Sequence, residues 1–114
     1  MAEPAYCQVT TTIDSAEAAA GLARAAVEAR LVACARVAGP VESTYWWEGR
    51  VETAREWVVV AKTTDERYPA LEALLRERHP YDVPEIIRTP VTGGSPAYLA
   101  WISAETSTPT DDDA

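Results

Sequence analysis

The sequence predicts an α+β protein with the ferredoxin-like βαββαβ arrangement, in which an antiparallel sheet carries two helices on one face. A short C-terminal helix is expected to follow. Three observations lead to this fold class. Segments rich in β-branched residues alternate with segments whose apolar residues recur at helical spacing. A turn at Glu48-Gly49-Arg50, with glycine supplying a positive φ, joins two long strands into a hairpin. Pro90 lies in the last predicted strand, and proline is tolerated at a sheet edge, where this fold has its fourth strand.

The first strand and the first helix are predicted within residues 5–30. Residues 5–13 are rich in threonine, valine and isoleucine, which favour a strand. Asp14 stands three residues before Glu17, a spacing typical of a helix N-terminus, and the helix is expected to run to about Arg30. The apolar side of this helix comprises Ala19, Leu22, Ala23, Ala26 and Val27.

Two long strands are predicted next. Residues 31–37 form the first part of one strand, Gly39-Pro40 interrupts it, and residues 41–47 resume it. Residues 51–63 return alongside, and they contain the continuous apolar run WVVVA. Such a run is typical of a central strand that is covered on both faces.

A second helix and a last strand complete the predicted sheet. Thr63 and Glu66 repeat the capping spacing, and the helix that they introduce is expected to end near Arg78 because Pro80 cannot continue it. Residues 85–91 are predicted to form the last strand.

The C-terminal part of the chain is predicted to contain one short helix and a tail. Ser95-Pro96 is a favourable N-cap and first-turn pair for the helix. Residues 105–114 are polar and acidic, which indicates a disordered tail. We therefore predict a single domain over residues 1–104.

Charge and composition argue against two classes of partner. The net charge is −8, and the ten basic residues are scattered along the chain, so no nucleic-acid interface is expected. No apolar run approaches the ~18 residues of a membrane span, and the N-terminus lacks the features of a signal peptide. Two cysteines, Cys7 and Cys34, are too few for a disulfide framework. These features predict a cytoplasmic protein without a membrane partner.

The hairpin tip carries three neighbouring aromatic residues, Tyr45, Trp46 and Trp47. Successive side chains on a strand point to opposite faces, so aromatic residues lie on both faces of the tip. A strand over residues 33–47 is about 50 Å long at ~3.3 Å per residue, whereas a compact chain of this size has a diameter of roughly 35 Å. We therefore expect the hairpin to overhang its domain and to pack on a second copy of the chain. The alternative is that Gly39-Pro40 folds the hairpin back over its own sheet.

Seven motifs together resemble the CutA family of divalent-cation tolerance proteins. They are LVACA at 31–35, YWWEG at 45–49, KT at 62–63, PALEA at 69–73, HPYDVPEI at 79–86, PVT at 90–92 and SPAYL at 95–99. The resemblance covers roughly residues 6–102. It implies a cytoplasmic homotrimer with a role in tolerance of copper and other divalent metals, and we predict that the protein is not an enzyme. Its trimer architecture is similar to that of nitrogen-regulatory PII proteins, so the alternative is a signalling trimer that binds a small ligand in inter-subunit clefts.

His79, Cys34 and Glu85 are the candidate ligands for copper or another divalent cation. Imidazole, thiolate and carboxylate groups all bind such metals. The resemblance implies copper ligands at a strand-one cysteine and at a histidine pair after the second helix. This chain has Thr10 at the first position and Arg78-His79 at the second, so weak binding is expected.

Other interpretations of the same residues stay open. His79 could simply end a helix, where a positive charge suits the dipole, and Cys34 could be a small core residue. Lys62 and Tyr81, with His79 and Glu85, are the candidate lining of an inter-subunit cleft. Lys62 and Glu85 could instead form an ordinary ion pair. Tyr45, Trp46 and Trp47 are predicted to lie in the trimer interface.

Overall fold

The computed structural model describes residues 5–107 and confirms the predicted fold class. The sheet is antiparallel with strand order β2-β3-β1-β4, so β4 lies at an edge, as Pro90 indicates. No helix in these residues is long and apolar enough to cross a membrane. The elements are β1 (Tyr6–Ile13), α1 (Ala16–Glu28), β2 (Cys34–Trp47), β3 (Arg50–Thr64), α2 (Tyr68–Arg78), β4 (Ile86–Val91) and α3 (Pro96–Thr106).

The core lies between one face of the sheet and the two helices α1 and α2. Burial alternates along β1, as expected for a strand with one covered face. We call the opposite side of the sheet, which carries neither α1 nor α2 and is contacted by α3 only at one end, the helix-free face. The buried apolar residues of the core are Cys7, Val9, Ile13, Ala19, Leu22, Ala26, Val32, Val59, Ala61, Leu71 and Leu75.

Two predicted helix starts are displaced, by one residue for α1 and by four residues for α2. The N-cap of α1 is Ser15 rather than Asp14, and its hydroxyl oxygen accepts a hydrogen bond from the Ala18 amide at 3.0 Å. Thr63 does not cap α2, because it lies within β3 and its hydroxyl donates to the carbonyl of Leu31 at 2.6 Å. The longer strand leaves α2 to begin at Tyr68.

Helix α3 lies at the end of the sheet where β1 begins. Ser95 caps it as predicted, with its hydroxyl oxygen accepting from the Tyr98 amide at 3.1 Å, and Ser103 Oγ lies 2.6 Å from the Tyr6 hydroxyl. The helix continues through Thr106, so it includes the first two residues of the segment predicted to be a tail. Residues 108–114 of that segment lie outside the described residues.

The hairpin of β2 and β3 overhangs the rest of the domain, as its length predicts. Strand β1 pairs with β3 only over Trp57–Thr64, so residues 41–56 pair only with each other. We call residues 41–56 the arm. The molecule measures 51 Å along its longest axis, and its radius of gyration of 15.4 Å exceeds the about 13 Å of a compact chain of similar length. The arm does not fold back over its own sheet, because Trp46 at its tip remains 74% exposed.

A β-bulge at Gly39-Pro40 separates the arm from the sheet. The pairs Ala38↔Val58 and Val41↔Glu56 flank the bulge, so β2 contains one residue more than β3 in this interval. The extra residue reverses which face of the ribbon each later β2 side chain occupies. Gly39 has φ +150°, and a Cβ atom there would lie only 2.8 Å from Cδ1 of Trp57. Glycine is therefore required where the bulge passes over the indole.

We expect the substitution Gly39→Ala to destabilise the protein by about 1–3 kcal/mol, because the methyl group overlaps Trp57 and the backbone would be strained. Gly21→Ala is the matched control. Its Cβ would meet nothing within 4 Å in the middle of α1, so it should stabilise the helix by about 1 kcal/mol. Guanidinium chloride unfolding at one protein concentration measures both effects. Equal midpoints for Gly39→Ala and the natural sequence would show that the bulge accommodates a side chain.

Candidate functional site

The three predicted metal ligands lie in different places. Cys34 begins β2, His79 follows α2, and Glu85 is an exposed residue immediately before β4. Within residues 5–107, no group of three or more His, Cys, Asp or Glu side chains is placed to hold a metal ion. One protomer therefore does not assemble the predicted ligand set.

Both ring nitrogens of His79 are used within the protomer. The side chain is only 7% exposed. Its Nδ1 accepts a hydrogen bond from the Tyr81 amide at 3.2 Å, so the ring proton is on Nε2, which lies 2.7 Å from the carbonyl oxygen of Thr12 and donates to it. Metal binding needs a free lone pair on a ring nitrogen, and here it would break one of these hydrogen bonds. His79 instead holds the end of α2 against the end of β1.

Tyr81 ties the same loop to the base of the arm. Its hydroxyl donates to Oε2 of Glu56 at 2.9 Å, and its ring packs edge-on against His79 with centroids 4.5 Å apart. Glu56 is only 7% exposed. Burial raises the pKa of Tyr81, and the hydrogen bond and negative charge of Glu56 raise it further, so the phenol stays protonated. Sequence reasoning missed Glu56, and its position directly before the apolar run of β3 is the signal that could have indicated it.

Lys62 lies far from the other predicted cleft residues. It pairs with Cys34 on one side and with Gln8 on the other, whereas Glu85 lies just beyond the Thr11↔Ile86 pair. No ion pair joins Lys62 to Glu85 in the described part of the chain. Lys62 and Tyr81 therefore do not line one cleft within a protomer.

The register instead brings Lys62 into a row of polar residues that crosses all four strands. Cys34, Lys62, Gln8 and Thr89 are successive partners in β2, β3, β1 and β4. Their side chains lie on the helix-free face, because their sequence neighbours Cys7, Ala61 and Thr63 are buried on the other side. We call these four residues the polar row. The hydroxyl of Tyr98 lies 3.5 Å from Sγ of Cys34, which places α3 at one end of the row.

The arm exposes aromatic side chains on both of its faces. Tyr45 and Trp47, at 41% and 44% exposure, lie on the side that continues the helix-free face. Trp46, at 74% exposure, and its cross-strand partner Val51 lie on the other side. The residues predicted to form an interface are thus uncovered in the protomer.

Comparisons with known proteins agree on one family. The family model described as CutA1 divalent ion tolerance protein matches residues 7–105. The chain is 38% identical over 98 residues to Protein CutA 1, chloroplastic, of Oryza sativa, and it spans only 55% of that protein. It is also 38% identical over 98 residues to the divalent-cation tolerance protein CutA of Thermus thermophilus, where it spans 95% of the relative. These alignments each cover 86% of the present chain.

Solved structures support the same assignment. The crystal structure of CutA1 from Oryza sativa superposes with a TM-score of 0.88 at 36% identity, covering 90% of this chain and 94% of that one. CutA1 from Shewanella sp. SIB1 superposes with a TM-score of 0.88 at 37% identity, covering 94% and 100%. A match of the family model along almost the whole described chain, with relatives above 30% identity, establishes the family. The chain belongs to the CutA1 divalent ion tolerance family.

Proposed function

We propose that the protein acts in divalent-cation tolerance as a homotrimer assembled through the arm, and that it binds copper or another divalent cation only weakly. The observation that carries this proposal is the arm itself, with aromatic residues exposed on two faces. An isolated two-stranded ribbon is marginally stable in water, and an exposed apolar edge invites association. Packing of the arm on a second copy of the chain would stabilise the ribbon and cover its apolar residues.

The two faces of the arm favour a closed ring over a two-fold dimer. One face presents Tyr45 and Trp47 next to the helix-free face, and the other presents Trp46 and Val51. Two different patches suit a head-to-tail interface, in which each copy uses one patch for each neighbour, and such interfaces close into rings. The family resemblance favours three copies in that ring.

The charges of the protomer favour weak cation binding at surface carboxylates. The net charge of −8 attracts cations in general, and Glu85 is exposed immediately before β4. His79 offers no free nitrogen, and Cys34 lies beside Lys62, whose positive charge opposes a divalent cation. A stronger site would need ligands from more than one copy of the chain. Binding rather than catalysis is the proposed activity.

The substitution Trp46→Ser should shift the protein from trimer towards protomer. A trimer of the 12.4 kDa chain has a mass of about 37 kDa, three times the protomer mass. Loss of a central tryptophan typically weakens an interface by about 2 kcal/mol or more, which raises the dissociation constant at least tenfold. Sedimentation equilibrium measures the mass. Val83→Ser is the control, because Val83 is similarly exposed, at 72%, but lies outside the arm. A measured mass of 12.4 kDa for the natural protein, or the mass of a trimer for Trp46→Ser at every concentration, would contradict the proposed assembly.

Cation binding should not depend on His79. We expect His79→Gln to retain the affinity for Cu²⁺ and Zn²⁺ within about twofold, because the ring has no free nitrogen to lose. Glu85→Gln should weaken binding, whereas Glu77→Gln, at an exposed position in α2, should not. Titration calorimetry gives the affinities, and circular dichroism checks that each variant is folded. Loss of binding in folded His79→Gln, or no binding by the natural protein, would overturn the cation proposal.

A further inference from the structure

The polar row contains hydrogen-bond donors that take no part in the proposed cation binding or in the proposed assembly through the arm. Neighbouring strands lie about 4.8 Å apart, so the four side chains of the row form a line roughly 14 Å long. Lys62 contributes an ammonium group, Gln8 an amide and Thr89 a hydroxyl. Each of these groups can donate a hydrogen bond away from the sheet. The helix-free face therefore presents a line of donors at the end of the sheet nearest α3.

A second cation lies next to this line. Arg36 pairs with Val60, two residues before Lys62, so Arg36 and Lys62 are diagonal neighbours on the same face. The hydrogen bond with Cys34 and burial raise the pKa of the Tyr98 phenol, and the positive charge of Arg36 partly opposes this shift. Arg36, Lys62 and Tyr98 thus all lie at the Cys34 end of the row.

These two cations lack partners in a chain with a large excess of acid. The sequence has 18 acidic and ten basic residues, and Arg24, Arg30, Arg50, Arg76 and Arg88 each lie within 4.0 Å of a carboxylate. Five basic residues have no such partner among residues 5–107, namely Arg36, Arg55, Lys62, Arg67 and Arg78, and of these only Arg36 and Lys62 are cross-strand neighbours. Two adjacent unpaired cations make the local potential positive and attract an anion. A guanidinium group also matches the two oxygens of a phosphate or carboxylate.

We propose that Arg36 and the polar row form a binding site for a small ligand that carries a phosphate or carboxylate group. Arg36 and Lys62 bind the oxyanion, Gln8 and Thr89 contact the rest of the ligand along the row, and Tyr98 closes the end at Cys34. The site does not use Glu85 or His79, so it is independent of the proposed cation binding. It would give the protein a ligand-binding activity in addition to metal tolerance.

Cys34 provides a direct reporter of occupancy. It is partly exposed beside Lys62 and should react with iodoacetamide, which is uncharged and does not itself compete as an anion. Cys7 is an internal control, because it is fully buried and burial raises the pKa of its thiol to about 12. The experiment measures alkylation of each cysteine in the native protein by peptide mass spectrometry. The probes are inorganic phosphate and succinate, each compared with chloride at equal ionic strength.

Phosphate or succinate should slow alkylation of Cys34 at least threefold, with saturation, and the probe that does so identifies the oxyanion class. Arg36→Met and Lys62→Met should each remove the protection, whereas Arg24→Met, on the surface of α1, should retain it. Arg36 is exposed, so its variant is expected to fold even if the half-buried Lys62 is needed for stability. Absence of saturable protection by either probe, or full protection in Arg36→Met, would overturn the proposal. Resistance of Cys34 to alkylation in the absence of phosphate and succinate would also overturn the proposal, because it would show that the assembled protein covers the polar row.

Discussion

The backbone pairing of β2 with β3 beyond the end of β1 determines which part of the chain is buried within the domain and which part is exposed. Strand β1 stops at Ile13, opposite Trp57, but the hairpin continues through the arm with no third strand beside it. A sheet of three or more strands can bury one face against helices, whereas a two-stranded ribbon cannot do so alone. The fold therefore stabilises the body of the domain within one chain and leaves the arm uncovered in the protomer.

Two local features determine how the arm leaves the sheet. The bulge at Gly39-Pro40 shifts β2 by one residue, which places Tyr45 and Trp47 on the side of the helix-free face and Trp46 on the other. The hydrogen bond from Tyr81 to the buried carboxylate of Glu56 then braces the base of the arm where β1 has ended. A bulge and a buried polar contact thus convert an extended hairpin into two oriented patches, and the proposed ring follows from their difference.

The sequence was sufficient for the fold and for the arm, but not for the site. Hydrophobic periodicity, Pro90 and the length of the hairpin are local properties, so they predicted the element order, the edge strand and the overhang. Contacts across the sheet depend on register, which no local pattern reveals. Lys62 therefore meets Cys34 and Gln8 rather than Glu85, and the single histidine uses both nitrogens inside the protomer. The start of α2 was misplaced for a related reason, since Thr63 is held by Leu31, which is distant in sequence.

Amide hydrogen exchange of the native protein, resolved along the chain, shows whether neighbouring copies cover the arm. If neighbouring copies cover the arm, the amides of residues 41–56 should exchange as slowly as those of the central strand β1, because their opening then requires dissociation. Faster exchange is expected only at the bulge beside this segment, Gly39-Pro40, and at the turn within it, Glu48-Gly49. Exchange of the arm within seconds at micromolar concentration, while β1 stays protected, would show a free ribbon and would exclude assembly through the arm.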